Sequence, residues 1–166
     1  MKPRVVLITG AGSGIGRTTA MRFASNGDRV VVNDIDEQKA TDVVKEIKTF
    51  GLEAMAAPAD ITRLDEVENM TKEVIERWGR IDVLVNNAGV GDSRLFLETE
   101  PEDWHREIQV NIYGVLNVCK AVLPHMVRQN SGVVVNIASD AARVGETYMA
   151  VYSMAKAGVV GFSKAL

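Results

Sequence analysis

Short apolar runs alternate with longer amphipathic segments along the whole chain. Runs rich in valine and isoleucine predict strands near 4–9, 29–33, 53–57, 82–86 and 132–138. Apolar residues at helical spacing predict helices near 14–26, 36–50, 63–78, 101–128 and 150–166. The third strand has the weakest signal, because EAMAAP contains no β-branched residue. The alternation predicts an α/β fold: a parallel sheet with helices on both faces, formed as one domain over residues 1–166.

Composition and charge limit the classes of function that this protein can have. The 166 residues are 46% hydrophobic with a formal charge of −3, and no basic patch suits a nucleic acid. We expect no membrane span, because no apolar stretch reaches about 18 residues, and no signal peptide, because a strand begins by Arg4. The single cysteine, Cys119, suits the cytoplasm. His105 and His125 lack the spacing of metal ligands, so we expect no metal.

Four glycines within Gly10–Gly16 stand between the first strand and the first helix. Such a turn directs free main-chain N–H groups and the helix dipole at a phosphate. A Walker loop would need a glycine at Ala11 and a lysine at Arg17, and the G-x-G-x-x-G fingerprint fails in every register. The wider pattern Gly10-x-x-x-Gly14-x-Gly16 therefore predicts a dinucleotide site of another kind.

Asp34 ends the second strand, about 20 residues beyond the glycines, where a carboxylate accepts hydrogen bonds from the adenosine ribose. It would also repel a 2′-phosphate, and no arginine adjoins it, since Asn33 precedes it and Ile35 follows. We therefore predict NAD as the cofactor, with NADP disfavoured. The alternative role for Asp34 is a helix N-cap, which Asp36 can fill instead.

Tyr152 and Lys156 lie four residues apart in a predicted helix, so a phenol and an ammonium group share one helical face. A neighbouring cation favours the ionised form of a phenol and brings proton transfer within reach. Ser139 ends the fifth strand segment and can hydrogen-bond the same reacting oxygen. Taken alone, the pair has a simpler interpretation, a packed ring beside a lysine that extends to water.

Four motifs together resemble the short-chain dehydrogenase/reductase family. They are Thr9–Gly16 (TGAGSGIG), Asn86–Gly89 (NNAG), Ser139 and Tyr152-x-x-x-Lys156, in the family's order and spacing. The resemblance covers residues 4–166. It implies a Rossmann-type fold, a nicotinamide cofactor, and hydride transfer between an alcohol and a carbonyl.

The resemblance also implies roles for individual residues. Tyr152 is the acid/base, Lys156 holds the nicotinamide ribose and favours the tyrosinate, Ser139 holds the substrate oxygen, and Asn111 supports a water relay. Asn111 has a structural alternative, since a polar residue within an apolar helix often bonds a neighbouring carbonyl. The cofactor-binding residues implied by the resemblance are Gly10, Ser13, Gly14, Ile15, Gly16, Asp34, Asp60, Ile61, Asn87, Ala88, Gly89, Tyr152 and Lys156.

Two features concern the remainder of the protein. The predicted helix is apolar nearly all round over residues 112–127, which indicates a homo-oligomer, a dimer or tetramer, through helices 101–128 and 150–166. Family members continue beyond residue 166 with two more strands and a substrate-covering loop. We therefore expect the chain to be part of a longer protein, with residues 133–137 as an exposed apolar edge.

The substrate is the least determined property. The segments around Ser139 and Tyr152 most resemble those of the bacterial enzymes that oxidise 2-hydroxycyclohexanecarboxyl-CoA to its ketone, with 3-oxoacyl thioester reductases second and glucose dehydrogenases third. Our hypothesis is NAD-dependent oxidation of a hydroxyacyl thioester or related secondary alcohol to its ketone. The alternatives are an NADP-linked 3-oxoacyl reductase, a glucose dehydrogenase, and an NAD-binding module with little turnover.

Overall fold

A computed structural model describes residues 3–166 as a five-stranded sheet flanked by helices. The strands are β1 (Val5–Ile8), β2 (Arg29–Val32), β3 (Ala54–Ala56), β4 (Val83–Asn86) and β5 (Val133–Asn136). The helices are α1 (Gly14–Ser25), α2 (Glu37–Thr49), α3 (Leu64–Trp78), α4 (Pro101–Ile108), α5 (Gly114–Gln129), α6 (Ala141–Val144) and α7 (Ala150–Ala165). All five predicted strands and the predicted helical segments are confirmed, including the doubtful third strand.

All strand pairs are parallel, in the order β3-β2-β1-β4-β5. The chain builds outward from β1 through β2 to β3, then crosses back to place β4 on the other side of β1. Because the connections leave in opposite directions at β1 and β4, a crevice opens at the carboxyl ends of these two strands. The predicted phosphate loop follows β1 and therefore lies at this crevice.

Each face of the sheet has its own hydrophobic core. Alternate side chains of a strand point to opposite faces, so Val5 and Leu7 of β1 pack with α3 and α5 while Val6 and Ile8 pack with α1 and α2. All four are fully buried. Coverage on both sides explains why β1 reads as an unbroken apolar run rather than as alternating polar and apolar positions.

The edge of the sheet matches the expectation from the sequence. β5 pairs only with β4 in the described part of the chain, and Val133 and Val135 are 56% and 40% exposed. Two short elements were not predicted: a 3₁₀ turn at Phe96–Glu98 and helix α6. Both are too short to establish a hydrophobic period.

The helix predicted over 101–128 is interrupted in its hydrogen bonding. A π-turn, Gln109–Tyr113, joins α4 to α5, and the Asn111 side chain donates to the Glu107 main-chain oxygen at 2.9 Å. The combined helix Pro101–Gln129 is long and apolar enough to cross a membrane by length and composition, a property that the sequence analysis did not find. Core helices pass the same test, and here Val118 and Val122 lie buried against the sheet.

Candidate active site

A cavity of about 450 Å³ opens at the carboxyl ends of the central strands. Its wall contains residues from the loops after β1, β2, β3 and β4 that were expected to bind the cofactor: Gly10, Ser13, Gly14, Ile15, Gly16, Asp34, Asp60, Ile61, Asn87, Ala88 and Gly89. The wall also contains residues that the sequence analysis missed: Asn33, Ile35, Ala59, Val90, Arg106 and Val110. Four of these, Asn33, Ile35, Ala59 and Val90, directly flank predicted site residues, so their position in the sequence was a usable signal. Arg106 and Val110 have no such signal, because only the folded topology brings α4 and the π-turn to the crevice.

The glycine loop is tied to the loop after β4. The Asn87 side-chain amide donates to the main-chain oxygens of Thr9 and Gly10 at 2.9 and 3.1 Å. The Thr9 hydroxyl oxygen accepts from the main-chain N–H groups of Asn87 and Ala88 at 3.0 and 3.1 Å. Gly10 has a φ of +61°, and a Cβ there would lie 2.8 Å from Ala88 Cα. Any side chain at this position would therefore push the two loops apart.

Asp34 is held at the cavity wall by main-chain donors. Its Oδ2 accepts from the Gly12 N–H at 2.9 Å and its Oδ1 from the Asp36 N–H at 3.1 Å. A Cβ on Gly12 would lie only 2.7 Å from Asp34 Oδ2, so this approach requires glycine. The N-cap role belongs to Asp36, whose side chain accepts from Lys39 N–H at the start of α2.

The residues present fit a dinucleotide. Helix α1 begins at Gly14, and the side chain of its N-cap residue, Ser13, makes no capping hydrogen bond. The first-turn residues Gly14, Ile15 and Gly16 line the cavity, and their main-chain N–H groups can donate to an anionic group such as a diphosphate. Arg17, the nearest cation on α1, is engaged elsewhere by three hydrogen bonds to the Glu46 carboxylate, at 2.5, 2.6 and 3.1 Å.

The loop after β3 is also fixed by local hydrogen bonds. Asp60 Oδ1 accepts from both the N–H and the hydroxyl of Thr62, at 2.9 and 2.8 Å. The Ile61 main-chain oxygen accepts from the Asn117 side chain of α5 at 2.9 Å. These contacts hold Asp60 and Ile61 in the cavity wall.

Lys156 is buried beside Tyr152. Its side chain projects from α7, the residue is 3% exposed, and Nζ lies 5.6 Å from the centre of the Tyr152 ring. Nζ donates a hydrogen bond to the Ile137 main-chain oxygen at 2.9 Å. Burial lowers the pKa of the Lys156 ammonium below its usual range. Neither Tyr152 nor Lys156 forms part of the cavity wall. Lys156 Nζ adjoins it at Gly89, and the Tyr152 ring packs against Gly91, which directly follows the wall residue Val90.

Asn111 is fully buried in the π-turn. Its Nδ2 donates to the main-chain oxygens of Val90 and Glu107, at 2.7 and 2.9 Å, and its Oδ1 accepts from Val90 N–H at 3.3 Å. A Cβ on Gly89 would lie 2.9 Å from Asn111 Oδ1 and 3.3 Å from Lys156 Nζ. The bond to a neighbouring carbonyl is thus present, and the side chain also converges with Lys156 at Gly89.

Ser139 follows β5 at the same edge of the sheet. Its Oγ accepts from the Ala141 N–H at 3.2 Å, at the start of α6. Two residues earlier, Ile137 provides the oxygen that receives the Lys156 ammonium. A hydroxyl, a phenol and an ammonium group thus lie on segments that meet beside the cavity. Such a set can hold an oxygen and exchange its proton.

Sheet order, glycine cradle and cavity together define a Rossmann-type dinucleotide-binding domain. The family model described as short chain dehydrogenase matches residues 4–166. The chain belongs to the short-chain dehydrogenase/reductase family, as its motifs predicted.

Curated relatives include oxidoreductases of thioesters. The chain is 45% identical to a 3-oxoacyl-acyl-carrier-protein reductase of Synechocystis sp., over 97% of this chain and 66% of the relative. It is also 45% identical to the hydroxy(phenyl)methylsuccinyl-CoA dehydrogenase subunit BbsD of Thauera aromatica, over 98% of this chain and 65% of the relative. The chain thus spans somewhat less than two thirds of the length of these relatives.

Solved structures agree with the fold. A short-chain dehydrogenase/reductase from Burkholderia phymatum in complex with NAD is 32% identical, with a TM-score of 0.95 over 98% of this chain and 58% of that one. An NAD⁺-bound xylitol dehydrogenase is 32% identical, with a TM-score of 0.94 over 98% of this chain and 63% of that one.

Proposed function

We propose that the protein is an NAD-dependent oxidoreductase that interconverts a secondary alcohol and a ketone by hydride transfer. The observation that carries this proposal is the burial of Lys156 beside Tyr152 at the margin of a glycine-lined cavity. A binding module has no need for a desolvated ammonium next to a phenol, and desolvation of a charge is costly. A catalytic role beside a dinucleotide site explains why the chain buries this ammonium group despite the free-energy cost.

The roles of the chain's own residues follow from their chemistry. In the oxidising direction, the Tyr152 phenolate oxygen takes the proton from the substrate hydroxyl. The Ser139 hydroxyl donates a hydrogen bond to the same substrate oxygen and holds it in place. The Lys156 ammonium favours the phenolate, and Asn111 anchors the loop at Val90 beside it. When bound, the nicotinamide supplies the hydride acceptor.

NAD is the preferred cofactor because Asp34 brings a negative charge to the place where the adenosine ribose would lie. A 2′-phosphate there would meet that carboxylate at close range, which is unfavourable. The solved relatives named above contain NAD. NADP is the alternative cofactor, for the case that the chain is an NADP-linked 3-oxoacyl reductase, the activity named for one of its relatives.

The proposed substrate is a hydroxyacyl thioester or a related small secondary alcohol. Two relatives at 45% identity carry names that specify an acyl thioester, one joined to a carrier protein and one to CoA. A glucose dehydrogenase and an NAD-binding module with little turnover are the other candidates. The xylitol dehydrogenase among the solved structures keeps polyols within the range of substrates to assay.

The test is NAD⁺ reduction across a panel of hydroxyacyl-CoAs, glucose, xylitol and steroid alcohols, with wild type and Tyr152→Phe. We expect turnover on a thioester, with a loss of about 100-fold or more in Tyr152→Phe because the acid/base group is gone. NADH binding should persist in that variant. Activity on sugars alone would reject the thioester, and binding of NADH without turnover of any substrate would favour the binding module.

Assembly, location and extent are further parts of the proposal. We propose a homo-oligomer, a dimer or tetramer, that acts in the cytoplasm on small molecules and not on nucleic acid or a membrane. The groove between α5 and α7, formed by Ile112, Leu116, Gly158 and Phe162, supports the oligomer. We also propose that residues 1–166 form one dinucleotide-binding and catalytic domain.

A further inference from the structure

The loop of residues 90–94 determines the space available to the Tyr152 ring. A Cβ built on Gly91 would lie 3.1 Å from Cδ2 of Tyr152 and 2.8 Å from Cε of Met149. The main chain at Gly91 therefore packs directly on the phenol ring. A shift of this loop by a few tenths of an ångström would move the ring or open a gap beside it.

Two side chains, four residues apart, hold this loop from the same helix. Asn111 exchanges two hydrogen bonds with the main chain of Val90, at 2.7 and 3.3 Å. Glu107 Oε1 accepts from the Asp92 N–H at 2.7 Å. Gly91 thus lies between two anchored residues. The sequence predicts a role for Asn111 but none for Glu107.

Glu107 is an unusual residue to find in this position. It is 7% exposed, and its second carboxylate oxygen, Oε2, is buried with no hydrogen-bond partner among residues 3–166. Burying a carboxylate with one oxygen unsatisfied costs free energy that an apolar side chain would avoid. The hydrogen bond to Asp92 is the gain that offsets this cost.

We propose that Glu107 is a positioning residue, which fixes Gly91 through the Asp92 N–H and thereby sets the place of the Tyr152 ring. Its effect on turnover rests on the proposed function, whereas its effect on the ring does not. Arg94 strengthens the same arrangement, since its N–H donates to the Tyr148 main-chain oxygen at 2.9 Å. Its side chain also forms an ion pair with Asp103 of α4 at 2.7 Å.

Substitutions of Glu107 separate the hydrogen bond from packing. Glu107→Gln keeps an oxygen that accepts from the Asp92 N–H. The new amide N–H₂ group has space in a neighbouring cavity of about 10 Å³, roughly the volume that one water molecule needs. Glu107→Met keeps the length and helix propensity but removes the acceptor. Glu107→Asp keeps the charge but is one methylene shorter and withdraws from Asp92. Glu102→Met, at an exposed position of the same helix, is the matched control.

The first measurement is NMR of the chain with ¹³C-labelled tyrosine rings. The protein has three tyrosines, and Tyr152→Phe identifies the signal of Tyr152. We expect that signal to shift or broaden in Glu107→Met and Glu107→Asp but to stay at its wild-type position in Glu107→Gln and Glu102→Met. An unchanged Tyr152 signal in both Glu107→Met and Glu107→Asp would overturn the proposal.

Kinetics on the best substrate provide the second measurement. We expect kcat to fall about tenfold in Glu107→Met and Glu107→Asp, because misplaced reacting groups lose rate steeply. Affinity for NADH should stay within about twofold of wild type, and Glu107→Gln should restore most of kcat. A loss of NADH affinity equal to the loss of kcat would contradict a positioning role. If the wild type turns over no substrate, the proposed function fails, while the NMR comparison still decides the role of Glu107.

Discussion

Lys156 Nζ donates a hydrogen bond to the main-chain oxygen of Ile137 at 2.9 Å, and this contact ties helix α7 to the end of strand β5. The bond orients the ammonium group along the sheet edge, with the Tyr152 ring 5.6 Å from it. It is available whether the amine carries three protons or two. The position of the amine is therefore determined by the fold, while its charge depends on pH.

The burial of Lys156 predicts a pH dependence of stability with a definite sign. Because burial lowers its pKa, the folded chain releases this proton at a lower pH than the unfolded chain does. Between the lowered pKa and the ordinary lysine value of 10.5, the unfolded state binds more protons than the folded state. The contribution of Lys156 to the free energy of unfolding therefore becomes more stabilising as pH rises through this range. Lys156→Met should lack this gain.

The comparison requires urea unfolding of both proteins from neutral pH to about 10. Other groups that titrate in this range, such as Cys119 and the remaining lysines, are common to the two proteins and cancel in the difference. As pH rises, the free energy of unfolding of the wild type should increase relative to that of Lys156→Met. Parallel pH profiles would mean that the ammonium is not desolvated in solution.

Gly10 and Gly161 should respond in opposite ways to alanine. A Cβ on Gly10 would meet the main chain of Ala88 at 2.8 Å, and its φ is +61°. Gly161 lies in α7, exposed, with nothing within 4 Å of an added Cβ. Gly10→Ala should cost about 2 kcal/mol or more in free energy of unfolding, whereas Gly161→Ala should add about 0.5–1 kcal/mol.

Chemical denaturation of the two variants checks this prediction. Gly10→Ala should also weaken NADH binding, because the glycine loop and the loop after β4 would separate, while Gly161→Ala should bind as the wild type does. A Gly10→Ala protein with unchanged stability and binding would show that the two loops are not packed as closely as the structure has them.

Asp34 should control the choice between NAD and NADP. Asp34→Asn removes the negative charge but keeps a side chain that can still accept from the Gly12 N–H. Affinity for NADH should fall about tenfold, since a hydrogen bond to a charged acceptor contributes about 1.5–3 kcal/mol. Affinity for NADPH should rise, because the repulsion of its phosphate is gone.

Fluorescence titration with NADH and NADPH measures both affinities. Asp36→Asn is the matched control, since Asp36 caps α2 and asparagine caps helices equally well. An equal change in both affinities would exclude Asp34 as the discriminating residue.

The extent to which the sequence predicts this structure differs between the sheet and the site. Strands such as Val5–Ile8 are buried on both faces, so their apolar runs were recognisable without tertiary information. The π-turn at Gln109–Tyr113 was not, because it depends on the side chain of Asn111 bonding both Val90 and Glu107. Local propensity contains no signal for a contact that forms only when the helix packs on the loop after β4.

The candidate site shows the same division. The glycines and the Tyr152-x-x-x-Lys156 pair could be identified from sequence spacing. Each set lies within one turn of the chain, so local backbone geometry alone brings its members together. Arg106 and Glu107 could not, because only the folded chain brings Arg106 to the cavity wall and Glu107 to the Asp92 N–H. Charged residues in an amphipathic helix are usually solvated, so the burial of Glu107 was not expected, although helical spacing places it on the same face as Asn111.

The groove between α5 and α7 should hold a second copy of the chain. It is lined by Ile112, Leu116 and Phe162, and Leu116 is 38% exposed, so a lysine there would place a charge on the contact surface with little effect on the fold. Leu116→Lys should reduce the assembly in sedimentation velocity at micromolar concentration, from a dimer to a monomer or from a tetramer to a dimer, because an unpaired charge is costly to bury. Leu97→Lys is the control, at a residue 96% exposed outside the groove, and should leave the assembly intact. A wild type that sediments as a monomer, or a Leu116→Lys protein that sediments as the same oligomer as the wild type, would exclude this face as the interface.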